Sequence, residues 1–423
     1  MKLLIKNAKQ LVQVVDKKQP FVCGDDMNNI AVIENGYMVV ADGRIEFVGT
    51  ASSFRAKYPE EMDFDIFDAS DKIIMPGLVD CHTHPIWDGD RSKEMSMKLR
   101  GATYMEVHEM GGGIGFTVRH THSASDEKLK ALLKKRLDQM LSLGTTLAEI
   151  KTGYGLIEEE EIRQLRLMKE VCDEHDIDVV GTYLGAHSVP VGETADSATE
   201  KIVTSTIPKI KNLQEKGEIL PSIMVDVFCE KGIFELEHSK RILQAGKDHG
   251  MLINFHGDEL NYTKSGELAG ELGARAMSHC EKVSPKGIEM MAKVHTSAVV
   301  LPTTSYMLRL EHAPARALIS GGVPLAIATD HNAGQPTLSL PLTLHQACVF
   351  YKMSCEEALM SGTINAAWAI GKSETHGSLE EGKVADFLVL EAPCWESLIV
   401  QWGMDQFLPI KQVFKSGKCV RTK

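Results

Sequence analysis

Ile73-Ile74-Met75-Pro76-Gly77-Leu78-Val79-Asp80-Cys81-His82-Thr83-His84 is the stretch on which the reading of this 423-residue chain turns. An apolar run ends in two histidines two positions apart. Strand side chains alternate faces, so His82 and His84 point the same way. Two imidazoles on one face of a rigid element suffice to share a metal ion. An H-x-H triplet also arises in ordinary strands, so its meaning depends on what the other strands carry.

Runs of the same kind recur downstream. Strands are expected over Ile74–His82, Thr146–Ile150, Val179–Leu184, Ile223–Phe228, Met251–Phe255, Ala276–His279, Ala298–Pro302 and Leu325–Thr329. Most are near-continuously apolar, as strands buried on both faces require. Helical periodicity fills the gaps. Leu129, Leu132, Leu133, Leu137, Met140 and Leu141 recur at helical spacing before Gly144, and Glu158–Val171 carries another apolar stripe. Eight β/α units over roughly 300 residues predict an α/β protein built as a (β/α)8 TIM barrel. A doubly wound open sheet is the alternative. Its nucleotide-binding glycine signature is missing, since Gly111-Gly112-Gly113-Ile114-Gly115 has no strand feeding it and no helix expected after it. That segment reads as a flexible loop, at most a lid. Both chain ends are all-β in character, with an Asp42-Gly43 hairpin turn near the start and a Ser416-Gly417 turn near the end.

The net charge of -12, with no basic cluster, argues against a nucleic-acid partner. Nine scattered cysteines without a C-x-x-C pair fit reduced thiols in a cytoplasmic protein. No secretory apolar core stands near Met1, and no stretch approaches 18 uninterrupted apolar residues, so no membrane span is expected.

Chemistry in such a barrel is built at the C-terminal strand ends. There stand His82 and His84, Lys151 to Tyr154, His187, Cys229 to Lys231, His256 to Glu259, His279, Thr303-Thr304, and Asp330 to Asn332. His82, His84, His256 and Asp330 form a candidate N3O metal site with a position open for water. Such a site hydrolyses or deaminates. Glu259, three residues after His256, is the candidate proton carrier, and His279 the candidate to steer water or support a ligand. His331 alternates away from the face of Asp330 and is not expected to ligate.

At this point the chain resembles the amidohydrolase superfamily. The residues that carry the resemblance are Pro76 to His84, His256, His279, Asp330 and the closing Gly377 to Asp386. The resemblance implies a metal-bearing barrel over 73–373 and a small β-sandwich made of 1–72 and 374–423. It is closer still to the branch that hydrolyses 4-imidazolone-5-propanoate to N-formimidoyl-L-glutamate in histidine degradation. Lys151-Thr152-Gly153-Tyr154-Gly155-Leu156, Gly185-Ala186-His187-Ser188-Val189-Pro190 and Asn254-Phe255-His256-Gly257-Asp258-Glu259 carry that closer match, with Gly101 to Glu106, Gly111 to Ile114 and Asp226 to Glu230.

The resemblance implies one zinc or iron ion per subunit, a homodimer and a small-molecule substrate. It implies that Glu259, His279 and Asp330 serve catalysis. Arg91 would pair with the propanoate carboxylate in bidentate fashion. Tyr154, His187, Asn332, Gly334 and Gln335 would touch substrate, and Tyr104 would help enclose it. The segment around His331 and Gln335 departs from the family pattern. No lysine ends the fourth strand where two-metal relatives carry a carboxylated bridge, since Lys231 lies beyond it. The competing readings are another one-metal amidohydrolase, a purine or cyclic amidine deaminase, and a catalytically dead scaffold. The last would show a lost ligand, and all four are present.

Overall fold

The computed structural model describes residues 2–59, 63–101, 112–402 and 409–422. Tyr104 and Gly111 lie outside the described residues. Eight parallel strands form the central sheet: β1 Leu78–Asp80, β2 Thr145–Lys151, β3 Asp178–Ala186, β4 Ile223–Cys229, β5 Leu252–Gly257, β6 Ala276–His279, β7 Ser297–Val300 and β8 Leu325–Ile327. They pair in sequence order. The ring closes between its ends, where Thr83 bridges His331 in parallel and the His84 amide donates to the His331 carbonyl at 2.8 Å. This is a (β/α)8 barrel. The closure sets the His82–His84 pair beside Asp330, which stands at the far end of the barrel's strand order.

Helices cover the barrel for the reasons their sequences supply. Helix Asp126–Ser142 starts at Ser125, whose hydroxyl accepts from the Lys128 amide, and it buries Leu129, Leu133, Leu137, Met140 and Leu141. It stops at Gly144, which takes a φ of +96° that few side chains tolerate. Helix Glu158–Cys172 opens with four consecutive glutamates at its positive end and buries Ile162, Leu165 and Met168.

Two expectations need correction. The apolar run at 73–84 is two strands, not one. Ile73–Pro76 pairs with the chain termini, antiparallel to Phe387–Leu390 and parallel to the first strand, Lys2–Val14, whereas only Leu78–Asp80 joins the barrel. The break is at Gly77. A Cβ there would stand 2.0 Å from Thr146 Oγ1, so the crossing chains require glycine. Hydrophobicity alone could not show the break, because both halves are fully buried. The second correction concerns Gly113, which is followed directly by helix Ile114–Ser123.

The terminal strands form one eight-stranded, mostly antiparallel sheet over a core that includes Ile5, Leu11, Met38, Phe387 and Phe414. Lys2–Val14 shifts register between Ile5 and Ala8, where Asn7 adopts a φ of +58°. Its first half pairs with Phe64–Asp68 and its second with Ile73–Pro76. Lys415 fastens this sheet to the barrel. Its ammonium donates to the Thr146 carbonyl at 3.0 Å and pairs with Asp178 at 2.7 Å and with Asp386. His376 lies beside the same Asp178 at 2.9 Å. With an ammonium at its centre, this acidic cluster is a closed ion-pair network rather than a metal site.

Candidate metal centre

His82, His84 and His256 converge at the C-terminal mouth of the barrel, with one ligand atom from each lying within 4.8 Å of the others. His82 Nε2 and His84 Nε2 are 3.3 Å apart, and Asp330 Oδ1 is 3.5 Å from both. All four residues are buried. Their partners orient the rings. His256 Nδ1 donates to Asp226 Oδ1 at 2.9 Å. His82 Nδ1 meets Ser278 Oγ at 2.8 Å, and that hydroxyl donates onward to Asn254 Oδ1 at 3.2 Å. Both rings therefore carry their hydrogen on Nδ1 and turn an Nε2 lone pair inward. Burial, reinforced by neighbouring positive groups, holds His82 and His84 well below the usual imidazole range, so they are neutral. The inward Nε2 lone pairs of His82 and His256 meet the His84 ring and the Asp330 carboxyl at one point. The donor set fits one divalent ion.

Asp330 is held from outside the ligand set. Its Oδ2 accepts from Thr304 Oγ1 at 2.6 Å. Gln335 Nε2 donates to the carbonyls of Thr329 at 2.6 Å and Asp330 at 2.9 Å, and its Oε1 accepts from Thr304 at 2.8 Å. Gln335, expected at the substrate, has its amide engaged on the Asp330 turn. Asp330 itself takes a φ of +51°, and this turn breaks the strand alternation beyond it. His331 faces Trp87, with ring centroids 6.1 Å apart, and not the ligands. Burial drops its imidazole to about 3.

Asn332 is likewise occupied. Its Nδ2 donates to the Asp330 carbonyl and its Oδ1 accepts from the Gly334 amide, both at 2.8 Å. Gly334 keeps the approach to Arg91 open, since a Cβ there would stand 3.3 Å from Arg91 Nη1. Arg91 holds Glu94 through one of its two bidentate edges, with Nε at 2.9 Å and Nη2 at 2.6 Å. Nη1 is the edge turned toward Gly334. Glu94 also accepts from the Gly113 amide at 2.8 Å, tying the glycine segment to Arg91.

His187 and Tyr154 form one wall. His187 stacks on His84 at 5.0 Å and meets the Gly153 carbonyl through Nδ1 at 2.9 Å. The Tyr154 ring lies 5.5 Å from that of His187. Burial pushes the Tyr154 hydroxyl up to about 12, so it is a neutral phenol. Glu161, which the sequence reading left without a role, shapes this loop by accepting from the amides of Gly153, Gly155 and Leu156.

Glu259 Oε2 and His279 Nε2 are 3.5 Å apart beside the imidazoles. Burial above all holds Glu259 well above the usual carboxylate range. His279 lies 5.1 Å from His256 by ring centroid and takes a φ of +79°. Two more residues escaped the sequence reading. Asp226 orients His256, and Ser278 orients His82. A lone aspartate inside the apolar Ile223–Cys229 run was the available signal.

The sequence profile of the amidohydrolase family matches residues 73–420. "Probable imidazolonepropionase" of Xenopus tropicalis is 48% identical over 420 residues, covering 99% of this chain and 97% of that protein. The human protein of that name is 48% identical over 419 residues (99% and 98%), and that of Dictyostelium discoideum 50% over 421 residues (99% and 98%). Among solved structures, E. coli guanine deaminase superposes with a TM-score of 0.71 at 17% identity, covering all of both chains. Atrazine chlorohydrolase from Arthrobacter aurescens TC1, complexed with zinc, gives 0.71 at 15% identity, covering 99% and 95%. At these identities the structural likeness speaks for the fold alone.

Proposed function

From the premise that this chain belongs to the amidohydrolase family, and within it to the imidazolonepropionases, we propose that it opens the ring of 4-imidazolone-5-propanoate to N-formimidoyl-L-glutamate. The observation that carries the chemistry is the convergence of three buried imidazoles and Asp330 with Glu259 at their edge. We assign one zinc or iron ion to His82, His84, His256 and Asp330. A divalent ion held there would acidify a water molecule and polarise a carbonyl oxygen.

The chain's own groups do the rest. Glu259 accepts the proton of the attacking water and returns it to the departing ring nitrogen. The new carbon–oxygen bond forms at the ring carbonyl, and the carbon–nitrogen bond breaks. His279 hydrogen-bonds the oxygen on which negative charge develops. Tyr154 and His187 bound the ring, and Arg91 Nη1 meets the propanoate carboxylate at the Gly334 side. Asn332 and Gly334 shape that side through backbone and space.

The nine cysteines are free thiols and support a cytoplasmic setting. Among the described residues no helix is long and apolar enough to cross a membrane. We expect a homodimer acting on a small molecule. The reading is tested by incubating purified protein with 4-imidazolone-5-propanoate. N-formimidoyl-L-glutamate should form without ammonia. Ammonia from guanine or adenine, with the imidazolone untouched, would overturn it in favour of a deaminase.

A further inference from the structure

Beneath the three imidazoles lie buried charges that the hydrolytic reading leaves unused. Glu149 and Lys151 share one face of β2, and Asp226 comes from β4. Lys151 Nζ is 2.7 Å from Glu149 Oε1 and 2.9 Å from Asp226 Oδ2, and none of the three side chains is exposed. Each carboxylate grips a different part of the metal centre. Glu149 holds the residue between His82 and His84. Its Oε2 accepts from the Thr83 amide at 3.2 Å, and its carbonyl accepts from Thr83 Oγ1 at 2.6 Å. Asp226 Oδ1 accepts from both the backbone amide of His256, at 3.1 Å, and its ring Nδ1, at 2.9 Å. A continuous chain of contacts therefore runs from Thr83 through Glu149, Lys151 and Asp226 to His256.

We propose that Lys151 is a positioning residue for the metal centre, an ammonium that clamps Glu149 to Asp226 and so fixes the His82–His84 pair relative to His256. The inference rests on the reading of those histidines as ligands. Without the ammonium, two carboxylates face each other in a medium that screens them poorly. Asp226 then leaves its place, and the His256 ring loses the acceptor that sets its tautomer and direction. A triad that merely braced the barrel would lower the melting temperature of a variant and leave the ion affinity of its folded form unchanged.

The test measures Zn2+ affinity of metal-stripped full-length protein by competition with a chromophoric chelator. Lys151→Met should bind Zn2+ about 10- to 100-fold more weakly than wild type. Asp226→Asn should do likewise. The Lys151→Met/Asp226→Asn double variant should be no weaker than the weaker single, because both changes cut one chain of contacts. Where Lys151→Met does not fold, Glu149→Gln/Lys151→Met replaces it, with the same loss expected. Affinity of the folded variant within about twofold of wild type overturns the proposal, since outer partners of this kind otherwise cost at least tenfold. A wild-type chain that takes up no Zn2+ overturns instead the ligand reading beneath it.

Discussion

Glu259 Oε2 stands 3.5 Å from His279 Nε2, and each belongs to a different strand end of the barrel mouth. Under the proposed mechanism the pair divides the work of ring opening between a proton carrier and a hydrogen-bond donor. Glu259→Gln keeps the shape and removes the proton acceptor. We expect turnover to fall by about 10²- to 10⁴-fold while bound metal stays at its wild-type level. Steady-state kinetics with metal analysis of the same sample checks this, and a variant that keeps its turnover would remove Glu259 from its role.

Gln335 holds the turn that carries Asp330. Gln335→Ala takes one hydrogen-bond partner from each of the Thr329 carbonyl, the Asp330 carbonyl and the Thr304 hydroxyl. The expected result is weaker metal retention against a chelator, together with a stability loss of about 1–3 kcal/mol. A change confined to KM would return Gln335 to the substrate.

Arg91 is held by two bonds to Glu94, and under the proposed mechanism its Nη1 meets the propanoate tail. Lysine cannot supply both at once. Arg91→Lys should therefore raise KM nearly as much as Arg91→Ala, by roughly 10- to 100-fold, the worth of a charge-assisted hydrogen bond. Initial rates over a range of substrate concentrations decide it. Full function in Arg91→Lys would show that charge alone is enough.

Glu281 predicts a pH dependence. Its side chain is buried behind His279 and accepts from Ser305 Oγ at 2.9 Å. Burial pushes its carboxyl up to about 8, against hydrogen bonds that lower it. The native state thus keeps a proton that the unfolded chain releases near 4.5, so this residue's contribution to stability falls as pH rises from there to about 8. In metal-free protein, Glu281→Gln removes that slope. Its melting temperature should gain on wild type between pH 5 and pH 8, through a free-energy difference of a few kcal/mol at most. Parallel pH profiles for the two proteins would contradict this.

The sequence displayed the candidate ligands because strands impose strict alternation. His82 and His84 had to share a face, and His256 and Asp330 ended other apolar runs. Contacts across strands were less legible. Nothing local joins Lys151 to Asp226, which meet only through the side-by-side order of β2, β3 and β4. Loop residues were least legible. Gln335 and Asn332 turn to the backbone because Asp330 adopts a left-handed conformation, and Arg91 is captured by a glutamate one helical turn away. The split at Gly77 was hidden because Ile73–Pro76 and Leu78–Asp80 are equally buried, although they belong to different sheets.

The central claim is that a single ion held by His82, His84, His256 and Asp330 supports ring opening. Its most direct test is a titration of metal-stripped protein with Zn2+ or Fe2+, following hydrolysis of 4-imidazolone-5-propanoate at each addition. Activity should rise linearly and level off at one ion per chain. Turnover that is complete before metal is added, or that climbs until two ions are bound, would contradict it.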